Sequence, residues 1–277
     1  MSASLYAKRG NLNTLVLYKD ESSLEKTGLI ENYYGFENGI SGKDLYKTGI
    51  KQAQNLGIEV KNEEVIKIEM QNKNTFSIKT VENEYTSTVV ILATGNKKNT
   101  PKNIGIEKYE GKGVSYCAIC DGFFYRNKSV SIIGSGEYAI SETNDLINIV
   151  KDVTILTNGK KAPEFRADNV KVDTREIQEI KGDTKAEEVQ FKDGTTLETE
   201  GIFIAQGVAG STEFARKLGA LTNKDTIVVN EKQETNIKGL YACGDCTGGL
   251  LQVSKSVYEG TIAGLEAIKY IKEGFEK

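Results

Sequence analysis

The chain contains 277 residues, of which 38% are apolar and 27% are charged, so it can form one large or two medium globular domains. Its net charge of -3 lacks the basic excess of a nucleic-acid-binding domain, and no apolar run approaches the roughly 18 residues of a membrane-spanning helix. The sequence has no histidine, which excludes Ser-His and Cys-His nucleophilic mechanisms, histidine general bases and histidine-ligated zinc. The N-terminus also lacks the apolar run of a signal peptide, so the protein is expected in the cytoplasm.

Short apolar strands alternate with amphipathic helices and Gly-rich turns along the chain, a pattern that predicts parallel sheets with crossover helices. The elements expected in the first hundred residues are the end of a helix at 4–9, a buried strand at 13–18, a helix at 41–55, a strand around 58–60, and antiparallel strands at 65–70, 75–81 and 84–92. The last of these strands runs into Ala93-Thr94-Gly95.

A second unit is expected to begin near Pro101. Its predicted strands lie at 129–133, 153–156, 170–172, 186–191 and 201–205, with a helix from the Gly134 turn to about Val150, and the chain ends in a helix at about 252–273. The predicted fold class is α/β, with two Rossmann-like domains of the FAD/NAD(P)-binding type, one inserted into the other. Residues 101–227 would form the inserted nucleotide-binding-like domain, and residues 1–100 and 228–277 the outer FAD-binding domain.

The four cysteines fall into two Cys-x-x-Cys pairs, Cys117/Cys120 and Cys243/Cys246. A pair at the start of a helix brings two sulfurs within disulfide reach, and the helix N-terminus lowers the pKa of a thiol there. Disulfide exchange needs such a thiolate and an acid for the leaving sulfur, which Asp121 beside the first pair can provide. The alternatives are a coincidental pair of buried cysteines and a zinc site built from all four.

Three segments taken together resemble the low-molecular-weight thioredoxin reductase family: Ala93-Thr94-Gly95, Cys117-Ala118-Ile119-Cys120-Asp121-Gly122 and Gly239-Leu240-Tyr241-Ala242-Cys243-Gly244-Asp245. The resemblance covers nearly the whole chain and implies a flavoprotein that binds FAD. It implies that Gly244 and Asp245 hold FAD near its ribityl chain, and that Gln252 and Val253 touch the isoalloxazine ring. Asn32, in a turn like another flavin-contacting one, and Thr94 and Gly95 complete the implied FAD site. Gly244 and Asp245 could instead serve only a tight turn and a helix cap.

The resemblance also implies a role for each residue around the first cysteine pair. Cys120 would face the flavin and form a charge-transfer thiolate, Cys117 would attack the disulfide of thioredoxin, and Asp121 would act as the general acid and base. It further implies a homodimer whose inner domain rotates between the two tasks.

The N-terminus departs from the family pattern. A Rossmann flavin domain opens with a strand and a Gly-x-Gly-x-x-Gly turn, whereas residues 1–9 resemble the helix that follows that turn. A fragment or a misplaced start codon would explain this, and the chain taken literally would bind FAD poorly. One alternative is therefore a truncated, inactive chain without a catalytic role.

The inner unit also departs from the family. It keeps Gly134-x-Gly136-x-x-Ala139, but with bulky Glu137 and Tyr138 in the turn. Where NADPH-using members carry a His-Arg-Arg-x-x-Arg run that clamps the 2′-phosphate, this chain has Leu156–Pro163, in which only Lys160 and Lys161 are basic. NADPH is therefore doubtful, although an NADPH-dependent reductase with an altered nucleotide site is the alternative enzyme.

These losses resemble the ferredoxin-linked, pyridine-nucleotide-independent subgroup, as do Ile30–Phe36, Thr212–Gly219 and Tyr241–Gly249. That resemblance implies that ferredoxin delivers electrons singly to FAD, which passes them in pairs to Cys117/Cys120 and on to thioredoxin. The Cys243/Cys246 pair would be either a second redox relay or two small, semi-buried residues under the flavin.

Overall fold

The computed structural model describes residues 1–19, 22–72, 75–95, 104–207, 210–223 and 225–274. The chain divides into two compact units, an outer one formed by Met1–Asn96 and Leu218–Lys277 and an inner one formed by Lys97–Lys217. Residues 218–227, which the sequence pattern placed in the inserted domain, belong to the outer unit. The predicted boundary at Pro101 lies outside the described residues.

The secondary structure consists of short strands, seven α-helices and three 3₁₀ turns within the described ranges. The strands are β1 (Leu15–Tyr18), β2 (Leu29–Ile30), β3 (Ile40–Ser41), β4 (Glu59–Asn62), β5 (Val65–Asn72), β6 (Thr75–Thr80), β7 (Glu84–Ser87), β8 (Val90–Leu92), β9 (Val114–Ser115), β10 (Ser129–Ile133), β11 (Asp152–Leu156), β12 (Val170–Asp173), β13 (Ile177–Lys181), β14 (Glu188–Phe191), β15 (Thr196–Glu198), β16 (Gly201–Ile204), β17 (Thr222–Asn223), β18 (Thr226–Ile227) and β19 (Leu240–Ala242). The helices are α1 (Ser2–Arg9), α2 (Gly42–Asn55), α3 (Ile106–Tyr109), α4 (Ala118–Asp121), α5 (Glu137–Leu146), α6 (Ser211–Lys217) and α7 (Val253–Glu273), and the 3₁₀ turns are Ser23–Lys26, Gly122–Tyr125 and Gly244–Thr247.

The inner unit is built on a five-stranded parallel sheet in the order β12-β11-β10-β16-β9. Strand β10 is central because it pairs with both β11 and β16, and four of its five residues are buried. An antiparallel meander, β13-β14-β15, comes between β12 and β16 in the chain. This arrangement of parallel strands with crossover helix α5 is Rossmann-like, as the sequence pattern predicts.

The outer unit repeats parts of the same plan. Its parallel strands form two separate pairs, β1 with β4 and β8 with β19, and an antiparallel meander of β5, β6 and β7 comes between β4 and β8 in the chain. No strand among the described residues pairs with both β1 and β8, as β10 does with β11 and β16. The residues of β1 are consequently half-buried rather than buried, which corrects the prediction for residues 13–18.

Helices α1 and α7 pack closely in the outer unit because α7 presents a row of small buried residues. A Cβ at Gly260 would lie 2.2 Å from the Oγ of Ser2, and one at Gly264 would lie 2.6 Å from the carbonyl oxygen of Ala3. Glycine at these two positions therefore allows the backbones of the helices to approach. No helix in the part of the chain that the structure describes is long and apolar enough to cross a membrane.

Two further predicted elements differ from the observed ones. The expected strand at 84–92 is two strands, since β7 pairs antiparallel with β6 whereas β8 pairs parallel with β19. The hydroxyl of Ser87 bonds the carbonyl of Val89 at 2.7 Å and accepts from its amide, which turns the chain between the two strands. The helix expected to reach Val150 ends at Leu146.

The tightest point in the inner sheet lies where β10 enters the turn before α5. A Cβ added to Gly134 would lie 2.2 Å from the carbonyl oxygen of Ala205 and 2.8 Å from the Cβ of Ala139. Glycine is therefore required at residue 134 for close packing of β10, α5 and the end of β16. Gly136, two residues later, has nothing within 4 Å of an added Cβ.

We expect Gly134→Ala to lower the free energy of unfolding by roughly 1–3 kcal/mol, since the methyl group must displace backbone. The matched variant Gly136→Ala should cost less than about 1 kcal/mol, because its φ of -108° suits alanine and the space is open. Urea unfolding of both variants checks this, and equal losses would contradict the packing role of Gly134.

Candidate active site

The first cysteine pair lies directly after the edge strand of the inner sheet. Strand β9 pairs with β16, and Cys117 then caps the N-terminus of the short helix α4. Cys117 and Cys120 form a disulfide, and the amide of Cys120 donates to the Sγ of Cys117 at 3.2 Å. The sulfurs differ in access, because Cys117 is only 3% exposed whereas Cys120 is an exposed residue.

Asp121 is held beside this disulfide by Ser115, a residue that the sequence pattern did not single out. The hydroxyl of Ser115 donates to Oδ2 of Asp121 at 2.7 Å and accepts from the amide of Cys117 at 3.1 Å. One hydroxyl thus ties the carboxylate to the backbone of the reactive segment. The structure therefore fixes the Asp121 carboxyl group relative to the segment that carries the disulfide.

A buried ion pair contacts the first residue of helix α4, directly after Cys117. The amide of Ala118 donates to Oε2 of Glu142 at 2.8 Å, and the ammonium of Lys217 pairs with Oε1 of the same carboxylate. The side chains of Glu142 and Lys217 are each 1% exposed, and Oδ2 of Asp145 lies 3.9 Å from the ammonium. Burial raises the pKa of Glu142, and the charge of Lys217 opposes that rise.

The sequence around Glu142 contains a pattern that indicates a buried carboxylate. Helix α5 buries Tyr138, Ala139, Glu142, Thr143 and Leu146, a stripe at helical spacing with one carboxylate in it. A carboxylate in an otherwise buried stripe requires a partner, because an unpaired buried charge is costly. The partner, 75 residues further along the chain on α6, could be found only from the fold.

Large apolar side chains are exposed around the cysteine pair. Ile119 lies between the two cysteines and is 46% exposed, and Phe123 and Phe124 in the following 3₁₀ turn are 69% and 70% exposed. A contiguous group of exposed aromatic and aliphatic residues commonly marks a surface that contacts another protein.

In the outer unit, the predicted cofactor residues lie on the loops that follow two paired strands. Strands β8 and β19 run parallel with Leu92 opposite Ala242, so Thr94-Gly95 and Gly244-Asp245 leave the sheet at the same edge. Asn32 and Gln252, 220 residues apart in the chain, are joined by a hydrogen bond of 3.1 Å between their side-chain amides. Val253 is the first residue of α7, immediately after Gln252.

The turn at Gly244 is fixed by an ion pair within α7 that sequence inspection missed. Oε2 of Glu259 accepts from the amide of Gly244 at 2.8 Å and from the hydroxyl of Thr247 at 3.0 Å. Lys255 pairs with Glu259 at 2.9 Å and donates to the carbonyls of Gly244 and Gly248 at 2.8 and 2.6 Å. The spacing Lys255-x-x-x-Glu259 places both charges on one helix face, so the backbone of the turn is held on both its amide and its carbonyl side.

This set of residues suits a dinucleotide with hydroxyl groups. Gly95 and Gly244 have φ values of 77° and 81°, which only glycine adopts readily, and nothing lies within 4 Å of a Cβ added to Gly95. The half-buried carboxylate of Asp245 lies at the carboxyl edge of the parallel strands β8 and β19, where such ligands bind, and Asn32 and Gln252 supply side-chain amides. The structure thus places Thr94-Gly95 and Gly244-Asp245 at one edge of the sheet, and it joins Asn32 to Gln252.

The second cysteine pair has a different environment. Cys243 and Cys246 are free thiols in buried positions, and burial raises the pKa of Cys243 to about 12, with Cys246 contributing further. The thiol of Cys246 lies 3.3 Å from the carbonyl oxygen of Cys243 and 3.5 Å from that of Leu92. No group of three or more Cys, Asp or Glu side chains is arranged to hold a metal ion among the described residues.

The glycine turn of the inner unit differs in one respect from the sequence-based picture. Tyr138 does not project into the opening of the turn, because it is only 3% exposed on the buried face of α5, with the ammonium of Lys217 5.3 Å from its ring centre. Glu137, at the start of the helix, is exposed. Lys160 and Lys161 are exposed in the turn after β11, where the hydroxyl of Thr157 bonds the carbonyl of Lys160 at 2.8 Å.

The fold agrees with what comparison with known proteins finds. The family profile of the pyridine nucleotide-disulphide oxidoreductases matches residues 1–260, and the chain belongs to that family. A thioredoxin reductase of Listeria monocytogenes is 31% identical over 99% of this chain and 91% of its own length.

Two solved structures are also similar. The atypical thioredoxin reductase TRi from Desulfovibrio vulgaris Hildenborough has a TM-score of 0.88 and 36% identity, over 98% of this chain and 94% of that one. A ferredoxin-flavin thioredoxin reductase from Clostridium acetobutylicum has a TM-score of 0.67 and 32% identity, with the same coverage. The family uses FAD, so the expectation of a flavoprotein oxidoreductase with an α/β fold of two Rossmann-like domains is confirmed.

We expect Lys217→Met to lower the free energy of unfolding by roughly 3–5 kcal/mol, because it leaves a buried carboxylate without its cation. The loss should be larger at pH 8 than at pH 5. Removing Lys217 raises the pKa of Glu142 in the folded protein further above its ordinary value, so the folded state then binds more protons than the unfolded state. Stability therefore falls as pH rises through that window.

The matched control is Lys192→Met, which removes the cation from the exposed Lys192–Glu176 pair and should cost less than about 1 kcal/mol. Denaturant unfolding at the two pH values measures both variants. If Lys217→Met lowered the free energy of unfolding equally at both pH values, the result would contradict the presence of a buried, ionised Glu142.

Cys243 should be unreactive in the native protein. With its pKa raised to about 12, only on the order of one thiol in ten thousand is ionised at pH 8, and the side chain is buried. After mild reduction, we expect iodoacetamide to label Cys120 first and to leave Cys243 unlabelled until the protein is unfolded. Peptide mass spectrometry reads out each site, and rapid native labelling of Cys243 would contradict this prediction.

Proposed function

We propose that this flavoprotein is a thioredoxin-disulfide reductase that takes electrons from reduced ferredoxin. The observation that carries the proposal is the Cys117–Cys120 disulfide, with Asp121 held beside it and exposed apolar residues around it. The relatives that share this chain's length and fold are named as thioredoxin reductases, and one as ferredoxin-flavin linked. The outer unit would be the FAD-binding domain, and the inner unit would carry the redox disulfide.

FAD, when bound, supplies the ability to accept single electrons and to pass them on in pairs. Asn32, Thr94, Gly95, Gly244, Asp245, Gln252 and Val253 would bind and orient it, and Lys255 with Glu259 would hold the Gly244 turn in shape. Cys120, the exposed sulfur of the pair, would be the one that receives electrons from the flavin. Two electrons and two protons convert the Cys117–Cys120 disulfide into a dithiol that can reduce a partner.

The reduced Cys117 thiolate would attack the disulfide of thioredoxin and form a mixed disulfide, while the displaced thioredoxin sulfur takes a proton from Asp121. Cys120 would then attack the sulfur of Cys117, which restores the Cys117–Cys120 bond and releases reduced thioredoxin. Because Cys117 is only 3% exposed, this attack requires a movement that uncovers its sulfur. The domain rotation implied by the family resemblance would supply that movement.

Ferredoxin is favoured as donor because Leu156–Pro163, the segment at the end of β11, lacks the paired arginines of NADPH-using members, and Arg166 is the one arginine in the rest of this loop. Lys160 and Lys161 are exposed point charges there, without the planar guanidinium groups that bind a phosphate bidentately. The exposed carboxylate of Glu137 at the start of α5 also opposes a pyrophosphate at that helix end. NADPH dependence with an altered nucleotide site is the second candidate. We further propose that the enzyme works in the cytoplasm, where thiols stay reduced, and as a homodimer.

The test is anaerobic mixing of the FAD-loaded protein with reduced ferredoxin or with NADPH, followed by addition of oxidised thioredoxin. We expect ferredoxin to bleach the flavin absorbance and thioredoxin thiols to appear. Rapid bleaching by micromolar NADPH would overturn ferredoxin as the donor.

In the same assay, Cys117→Ser and Cys120→Ser should each lower thioredoxin turnover by at least a thousandfold, since neither variant can re-form the disulfide. Cys246→Ser is the matched control, because a hydroxyl can donate to either of the two carbonyls that the Cys246 thiol approaches, and it should remain within about threefold of the parent. Turnover that survived both of the first two changes would overturn the reductase mechanism.

A further inference from the structure

We propose that Glu142 is a positioning residue that sets the redox potential of the Cys117–Cys120 disulfide, and that Lys217 offsets its charge. This rests on the proposed redox use of the cysteine pair. The test nevertheless needs neither thioredoxin nor ferredoxin, so its failure is separate from a failure of the proposed function.

The geometry places a charge one residue from the reactive sulfur. Oε2 of Glu142 accepts the amide of Ala118 at 2.8 Å, and Ala118 follows Cys117 directly in the chain. Ala118 is fully buried and the side chain of Glu142 is 1% exposed, so little water can screen the carboxylate. Charges in such surroundings interact several times more strongly than charges in bulk water.

Reduction of the disulfide creates charge at this point. A dithiol reductant supplies two electrons that break the S–S bond, the reductant is oxidised to its own disulfide, and near pH 8 part of the product carries one sulfur as a thiolate and the other as a thiol. The carboxylate of Glu142 opposes that new negative charge, and the ammonium of Lys217 favours it. The pair therefore leaves the disulfide in a nearly neutral environment, whereas either charge alone would shift the equilibrium.

Other charged groups around this pair modify the effect without removing it. Asp145, on the same helix as Glu142, places Oδ2 3.9 Å from the ammonium of Lys217. Glu213, on α6 with Lys217, is also buried, and Asp121 lies on α4. These three carboxyl groups stay in place when Glu142 alone is changed.

The decisive variant is Glu142→Gln, which removes the charge but keeps an oxygen that can accept the Ala118 amide. Each protein is equilibrated anaerobically with mixtures of reduced and oxidised dithiothreitol at pH 8, alkylated, and analysed by mass spectrometry of the Cys117–Cys120 peptide. We expect the equilibrium constant to shift about tenfold toward the reduced form, which corresponds to about 30 mV for two electrons. The pKa of the more acidic thiol, from alkylation rates against pH, should fall as well.

The double variant Glu142→Gln with Lys217→Met removes one charge of each sign, so its equilibrium constant should return to within about threefold of the parent. Glu176→Gln, which removes a carboxylate from an exposed pair, is the control and should also stay within threefold. A merely structural role for Glu142 would not produce a shift that the second substitution reverses.

A shift of less than threefold in Glu142→Gln, a shift toward the oxidised form, or an equal shift in the double variant would overturn the proposal. If Glu142→Gln does not fold, Asp145→Asn carries the test, because it removes a nearby carboxylate without touching the Ala118 amide. Asp145→Asn should shift the equilibrium toward the reduced form by a smaller factor than Glu142→Gln. The absence of such a shift would also overturn the proposal.

Discussion

The hydrogen bond from the Ala118 amide to the Glu142 carboxylate is the contact on which the arrangement of the cysteine pair depends. Helix α4 is one turn long, so it cannot hold its position by its own hydrogen bonds. It is fixed instead from outside, by Glu142 at its first amide and by Ser115, which bonds both the Cys117 amide and Asp121. Because Glu142 belongs to α5 and Lys217 to α6, three separate elements meet at this one segment.

The sequence could predict the features that depend on local spacing. Cys117, Cys120 and Asp121 lie within five residues, so one helical turn necessarily brings them together, and the alternation of strands and helices indicated the α/β class. It could not predict the Lys217–Glu142 pair, because packing of α5 against α6 decides which buried charges meet. The sequence pattern also merged β7 with β8, since the alternation in β7 leads directly into the apolar run at 89–92 and only the Ser87 turn separates the two strands.

The two units follow one plan, and this explains where each group of candidate residues lies. In each unit an antiparallel meander precedes a strand of the parallel sheet: β13 to β15 precede β16, and β5 to β7 precede β8. Each of those strands has a parallel neighbour, β9 or β19, whose following loop carries a Cys-x-x-Cys segment. Loops after parallel strands meet at the carboxyl edge of the sheet, so the same topology presents the disulfide in one unit and the Gly244 turn in the other.

The two cysteine pairs have the same spacing and follow equivalent strands in their units, but their chemical environments differ. Cys117 and Cys120 form a disulfide that ends at an exposed sulfur, with a carboxylic acid beside it. Cys243 and Cys246 are buried thiols, and desolvation raises the pKa of Cys243 far above neutrality. A thiolate is the reactive species in exchange, so burial disfavours the reactive form of Cys243. The Cys-x-x-Cys pattern therefore predicts that two sulfurs lie close enough to form a disulfide. Solvent access and neighbouring charges determine whether the pair takes part in redox chemistry.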